Sequence, residues 1–341
     1  MAASAWERNE AVFSFVIIPP VGLQFPFGFS GDPLSCTSSE VARYMLTFCI
    51  ALVLFAAWHG MGVTVGLHRL LTHRSFRCPK LVEYFLVAGG YFAFNGSPVW
   101  WVAMHRAHHK YSDTPLDPHA PNDGMLRAYF TYRIFNYPDY MKPEAMCPDL
   151  LKDPVYRFLE QPGTHYSVHY TINVILCVLF RVALYACFGW PVALASLIMG
   201  VAYFHLPLIF NIISHIPKLG YRNFNTNDES TNIPWAAAFS WGDEWHNNHH
   251  AFPACVRAGM KPNEFDFSYE TVKVLRALGL ASHLNEKFSL EGHGSVQSIP
   301  SETAVELSLK TEKGKPMAIP VPVRAHGIEQ DSKSLIGYGK R

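Results

Sequence analysis

The sequence predicts an all-α integral membrane protein with about four transmembrane helices. Three observations support this. Only 16% of the 341 residues are charged while 49% are hydrophobic, where a soluble domain carries about 25% charged residues. Long apolar runs recur along the chain. Of the 17 histidines, eight stand in three close groups beyond the ends of those runs, and clustered imidazoles suggest a metal.

The same composition excludes other classes. With 28 Lys+Arg against 27 Asp+Glu, the net charge of +1 offers no field for a polyanion, so nucleic acid is excluded as the main partner. The seven cysteines form no C-x-x-C pair and no regular framework, which argues against a disulfide scaffold and against thiolate zinc. Met1 to Glu10 has neither transit-peptide character nor a basic region before the next apolar stretch, so no cleaved signal is expected.

In chain order, Ala11 to Phe29 is apolar but interrupted by Pro19, Pro20 and Pro26, which predicts a kinked or partly unwound span. Val41 to Gly66 exceeds the roughly 20 residues that a bilayer-crossing helix needs. Val168 to Pro191 and Pro191 to Ser214 are two more spans, joined at Gly189-Trp190-Pro191 as an antiparallel hairpin. Leu81 to Trp101 imitates a further span. A crossing there would put His68 and His73 on one membrane face and His105, His108 and His109 on the other. The segment is therefore expected to be re-entrant or interfacial, packed on the spans.

The stretch from Gly66 to Ser167 holds eleven Lys and Arg, while Ser30 to Glu40 and Gly189 to Pro191 hold none, so the histidine-bearing side is expected to be cytoplasmic. The chain divides into an N-terminal segment 1–40 with the Pro-interrupted span, a membrane domain 41–287 and a polar tail 288–341, which reads as disordered.

Three groups carry the chemistry. His68 and His73 stand at i and i+5, about 140° apart on a regular helix, so a shared site requires the helix to end there. His105, His108 and His109 stand at i, i+3 and i+4, a spacing that brings side chains onto one helical face, and His246, His249 and His250 repeat it. His215 closes the last span, with Asn211 one turn before it on the same face. Such a set exceeds the ligands of a closed zinc site or a haem, so two metals are the economical reading. Imidazole suits iron, copper, nickel and zinc alike. His59, His165, His169 and His205 stand singly on apolar helices and are expected to be core or interface residues.

The motifs Gly66 to Phe76, His105 to Asp113, Asp117-Pro118-His119 and Trp245 to Pro253 together resemble the membrane fatty-acyl desaturases, specifically the delta-9 acyl-CoA and acyl-lipid branch. The likeness covers approximately Val41 to Lys287. It implies four spans carrying a cytosolic helical cap with a histidine-rich di-iron site. The ligands it implies are His68, His73, His105, His108, His109, His215, His246, His249 and His250, with Asn211 supporting one iron through water. Trp101 matches a tryptophan near the acyl channel. His119 matches a family position without being counted as a ligand.

The resemblance also implies a function: an O2-dependent desaturase that makes a cis double bond, delta-9 by branch, in a long-chain acyl-CoA or acyl-lipid. Electrons come from a separate donor of cytochrome b5 or ferredoxin type, because the chain has no nucleotide fingerprint and no fused haem domain. The membrane is endoplasmic reticulum if the source is eukaryotic and inner membrane if bacterial. The channel is expected to be lined by Leu81 to Trp101 and by Tyr203 to Ser214. Arg69, Arg74, Arg77, Arg106 and Lys110 either hold a phosphorylated headgroup or reflect cytoplasmic enrichment in basic residues.

Two departures from the family pattern stand out. Gly242-Asp243-Glu244 replaces Gly-Glu-Gly, and Ile216 to Arg222 is a longer connection. A hydroxylase on the same di-iron framework is the nearest alternative, and a metal transporter or storage protein is the alternative of another class.

Overall fold

The apolar run beginning near Val41 folds as α1, Ser38–Met61, and starts with a capping box in which Thr37 and Glu40 satisfy each other's backbone N–H groups. The computed structural model describes residues 37–121, 124–126, 128–129 and 138–288. The Ala11 to Phe29 span and the polar tail from residue 289 lie outside these. Among the described residues, three helical stretches are long and apolar enough to cross a membrane: Ser38–Thr72, Ser167–Phe188 and Trp190–Ile213. The last two are α6 and α7, and Gly189 turns between them with φ 83°, a left-handed region open to glycine. Their flanks present Val174, Val178, Val182, Leu194 and Ile198 outward, as lipid contact requires.

The stretch that imitates a further span, Leu81 to Trp101, behaves otherwise. Helix α2, Lys80–Tyr91, enters, the chain turns through 92–97, and α3, Pro98–Tyr111, comes back. Its glycines let the segment dock closely. A Cβ on Gly62 would lie 2.1 Å from the Gly90 nitrogen, so the helix after α1 and α2 meet backbone to backbone.

The broken tip leaves carbonyls without helical partners, and side chains from the spans supply them. His59 Nδ1 donates to Gly89 O at 2.7 Å, Asn173 Nδ2 to Tyr91 O at 2.9 Å and Arg181 Nη2 to Phe92 O at 2.5 Å. Asn95, within the turn, bonds Gly90 O at 3.1 Å. It also reaches Tyr203 O at 3.3 Å, the carbonyl that Pro207 leaves without its helical donor. Arg181 enters the tip past Gly200, where a Cβ would lie 2.3 Å from its Nη2.

Short helices complete the fold: α4 (Pro143–Met146), α5 (Pro154–Glu160), α8 (Ala237–Ser240), α9 (His246–Ala251) and α10 (Phe267–Ala277). Isolated antiparallel bridges, Tyr221 with Asn232 and Asn232 with Trp245, are the extended pairings nearest the histidines. The long connection after His215 takes a 3-10 turn at Pro217–Leu219 before entering that pairing. The core runs from Val65 and Leu67 through Val99, Trp100, Val102, Ala103 and Ala107 to Val256 and Val272, which fastens α3 to the end of the first span.

Candidate metal centre

The first histidine pair is brought together in a way the spacing did not suggest. The helix ends at Thr72 with His73 as its cap, as expected, but its last turns are wound more widely than the spacing assumed. It continues from α1 as a π-helix, Gly62–Thr72, and His73 N–H donates to His68 O at 3.1 Å. In this geometry residues five apart close one turn, so the i, i+5 pair shares a face and the ring centroids are 4.9 Å apart.

The two H-x-x-H-H groups are not each gathered on one site either. Helix α3 gives His105 and His109 to one cluster and His108 to another, while α9 gives His246 and His250 to the second and His249 to the first. The clusters are His68, His73, His105, His109, His249 and His108, His215, His246, His250; within each, one nitrogen per ring lies within 4.8 Å of every other. They adjoin, with His109 and His250 centroids 4.5 Å apart. All nine expected histidines are thus assembled. His59 and His169 are buried apart from them, His165 is exposed against Ser167, and His205 pairs with Tyr129.

The donor set fits metal ions. Nε2 atoms approach at 2.9 Å (His68 and His249), 3.0 Å (His109 and His249), 3.1 Å (His105 and His109) and 3.2 Å (His215 and His246). Two nitrogens bound at right angles to one ion through bonds of about 2.1 Å stand about 3 Å apart. The buried Nε2 atoms of His73, His108 and His250 have no hydrogen-bond partner. Burial, reinforced by neighbouring imidazoles, pushes His73, His105, His109, His246 and His249 well below the usual histidine range, and burial takes His250 to about 4 despite Asp228. These rings are therefore neutral at pH 7, the form that binds a metal. Burial also opposes charge on His108, but Asp117, then Asp113 and Asp228, outweigh it and raise its pKa.

Carboxylates orient the rings, and the spacing of the histidines did not single out most of them. His68 Nδ1 meets Asp243 at 3.1 Å, His108 meets Asp117 at 3.0 Å, His215 meets Asp113 at 2.8 Å and His250 meets Asp228 at 2.7 Å. Of the departing Asp243-Glu244 pair, only Asp243 touches an imidazole. Glu244 turns away to accept from Ser240 Oγ at 2.6 Å and Gly242 N at 2.8 Å.

Three basic residues that could have received a headgroup are occupied. Arg69 is buried against Asp266 at 2.9 Å, Val256 O at 2.8 Å and Asp243 at 3.4 Å. Arg106 holds Asp149 at 2.8 Å and Leu71 O at 2.9 Å, and Arg74 pairs with the same aspartate. They brace the segment that carries His68 and His73. Arg77 and Lys110 remain exposed.

A narrow cleft, partly open to solvent, reaches the centre. Asn95 and Trp101 line it from the broken segment, Tyr203, Leu208, Phe210 and Asn211 line it from α7, and His68, His105 and His246 bring both clusters to its wall. These are the two stretches expected to form an acyl channel. Trp101 is stacked on His105, with centroids 5.2 Å apart.

A mostly apolar cleft ending on paired imidazole clusters can hold an alkyl chain against metal ions. Residues 44–262 match the family model described as fatty acid desaturase. The chain belongs to that family. A desaturase from Anabaena variabilis, named sn-1 stearoyl-lipid 9-desaturase, is 37% identical over 236 residues, 69% of this chain and 82% of the relative. Delta-9 acyl-lipid desaturase 1 of Arabidopsis thaliana is 32% identical over 285 residues, 81% of this chain and 84% of its own. The acyl-CoA C20 Delta5-desaturase of Anemone leveillei is 38% identical over 244 residues, 70% and 73%. The protein is an acyl desaturase and hence an oxidoreductase of lipid metabolism, built on membrane-spanning helices.

Proposed function

We propose that this desaturase removes two hydrogens from adjacent methylenes of a long-chain acyl-lipid or acyl-CoA to leave a cis double bond at the delta-9 position, with O2 as co-substrate. The observation that carries the reading is the pair of adjoining histidine clusters at the wall of an apolar cleft. The delta-9 reading draws support from the names of the Anabaena and Arabidopsis relatives, while the Anemone name includes another position and an acyl-CoA carrier.

In this reading His68, His73, His105, His109 and His249 hold one iron ion and His108, His215, His246 and His250 the other, with Asn211 near the second through water. Two bound irons supply the oxidising power of activated dioxygen, which unactivated methylenes require. The protein's own part is placement. The cleft keeps water from the alkyl chain, and depth along it decides which carbon pair lies beside the centre. Trp101, flat on His105, forms the wall between the chain and the first cluster. Asp113, Asp117, Asp228 and Asp243 hold Nδ1–H and so aim each Nε2 inward. Electrons arrive from a separate donor protein of cytochrome b5 or ferredoxin type. The excess of Lys and Arg between Gly66 and Ser167 supports a cytoplasmic position for this face.

Expression in a host unable to make unsaturated fatty acids, followed by mass analysis of its lipids, tests the proposal. The expected product is two hydrogens lighter than the saturated chain, with the double bond at the ninth carbon. A product one oxygen heavier makes the protein a hydroxylase instead. His108→Ala and His249→Ala should each abolish the product while the protein still inserts in membranes. Undiminished yield from either removes that ring from the ligand set.

A further inference from the structure

The two clusters differ in what stands behind them. In the four-histidine cluster, His108, His215 and His250 each rest on a carboxylate. In the five-histidine cluster only His68 does, and among the described residues no ion pair joins His73, His105, His109 or His249 to a carboxylate. The charge behind His68 is also shared, because Asp243 faces Arg69 at 3.4 Å.

Among the described residues, no lysine or arginine makes an ion pair with Asp113, Asp117 or Asp228. Their charges are held by backbone and hydroxyl donors. Asp117 accepts from the N–H groups of Asp113 and His119, each at 2.8 Å, and Asp113 from that of Glu229 at 2.7 Å. Asp228 accepts from Thr226 Oγ1 at 2.7 Å and Ser230 Oγ at 2.5 Å, while Arg222 beside it bonds the backbone carbonyl at 2.6 Å.

An aspartate on Nδ1–H makes Nε2 a better donor and attracts the cation through space. Ligand number favours the other cluster, with five rings against four. An outer partner of this kind changes metal affinity by roughly 10–100-fold, so two more of them, uncompensated, outweigh one neutral imidazole. We propose that the cluster of His108, His215, His246 and His250 is the tight metal position, filled first and emptied last. Asp113, Asp117 and Asp228 are the positioning residues that set the difference. The inference rests on the two-metal reading above.

The test uses the full chain in nanodiscs, loaded anaerobically with iron(II) alone and dialysed against a graded chelator, with metal per chain read by atomic absorption. Two steps of one equivalent each are expected, at least about tenfold apart. Asp228→Asn and Asp117→Asn keep an acceptor oxygen on the ring and remove only the charge. Each should bring the late step forward by roughly 10–100-fold, while Asp243→Asn should move the early step. His246→Ala and His73→Ala assign the steps independently, the first deleting the late one and the second the early one. The assignment is overturned if the wild type empties in a single step, if the asparagine variants leave the late step in place (a purely orienting role), or if His73→Ala deletes it. All three leave the two-metal reading standing. A wild type that never holds more than one equivalent overturns both.

Discussion

Two helical hairpins enter the same protein and solve the same problem differently. The α6–α7 hairpin turns at Gly189, where each helix has completed its own ladder, and its flanks are almost wholly apolar. The α2–α3 hairpin turns within the packed helices, and its bare carbonyls are answered by His59, Asn173 and Arg181 from α1 and α6. Where a chain reverses decides how much polar chemistry the neighbouring helices must carry. Arg181 is costly in such surroundings and is kept because it serves Phe92 O, Ser196 O at 3.3 Å and the face of Phe94 at 4.5 Å together.

Substitutions can widen or erase this contrast. The largest effect is expected from Gly62→Val, whose Cβ meets backbone rather than a movable side chain. It should cost about 3 kcal/mol and displace His68, which is read as a lower unfolding temperature in detergent and less than a full metal complement. Arg181→Leu strands the Phe92 carbonyl and should cost about 2 kcal/mol, with Arg181→Lys restoring part of it. Asn173→Ala, which frees Tyr91 O and Gly96 N, should cost about 1–2 kcal/mol. Leu179→Val on the outward flank of α6 should stay within about 0.5 kcal/mol. Equal losses at Leu179 and Asn173 would mean that the tip contacts carry no special weight.

Much of this was legible in the sequence, because a bilayer demands apolar length and a metal demands imidazoles in register. The α6–α7 hairpin begins and ends within a residue or two of the reading. The argument that His68 and His105 cannot lie on opposite faces predicted the broken segment correctly. Periodicity failed where helical geometry itself changed. The i, i+5 pair does lie at a helix end, but the wider π-helical winding that puts both rings on one face is not visible in the spacing, and the shared face of each H-x-x-H-H does not reveal how its rings divide between two clusters. Arg69 and Arg106 left headgroup contact and plain cytoplasmic enrichment both open, because a basic run reads the same whether it faces solvent or an internal aspartate. Asp228 had no signal at all, since only the fold brings it to His250. Arg181 did have one, a single cation inside an apolar run, and its partners are carbonyls that no composition reveals.

The π-helical stretch after Met61 acts as a phase joint. Each residue added to or removed from a regular helix rotates everything beyond it by about 100°. Eleven residues of wider winding therefore let the lipid-facing stripe of the first span and the ring-bearing end beyond it be aimed independently. Deleting one residue between Gly62 and Leu67 would leave the span in its bilayer and swing His68 away from its four companions. The membrane anchor and the reactive head are thus indexed to each other by a single residue of winding.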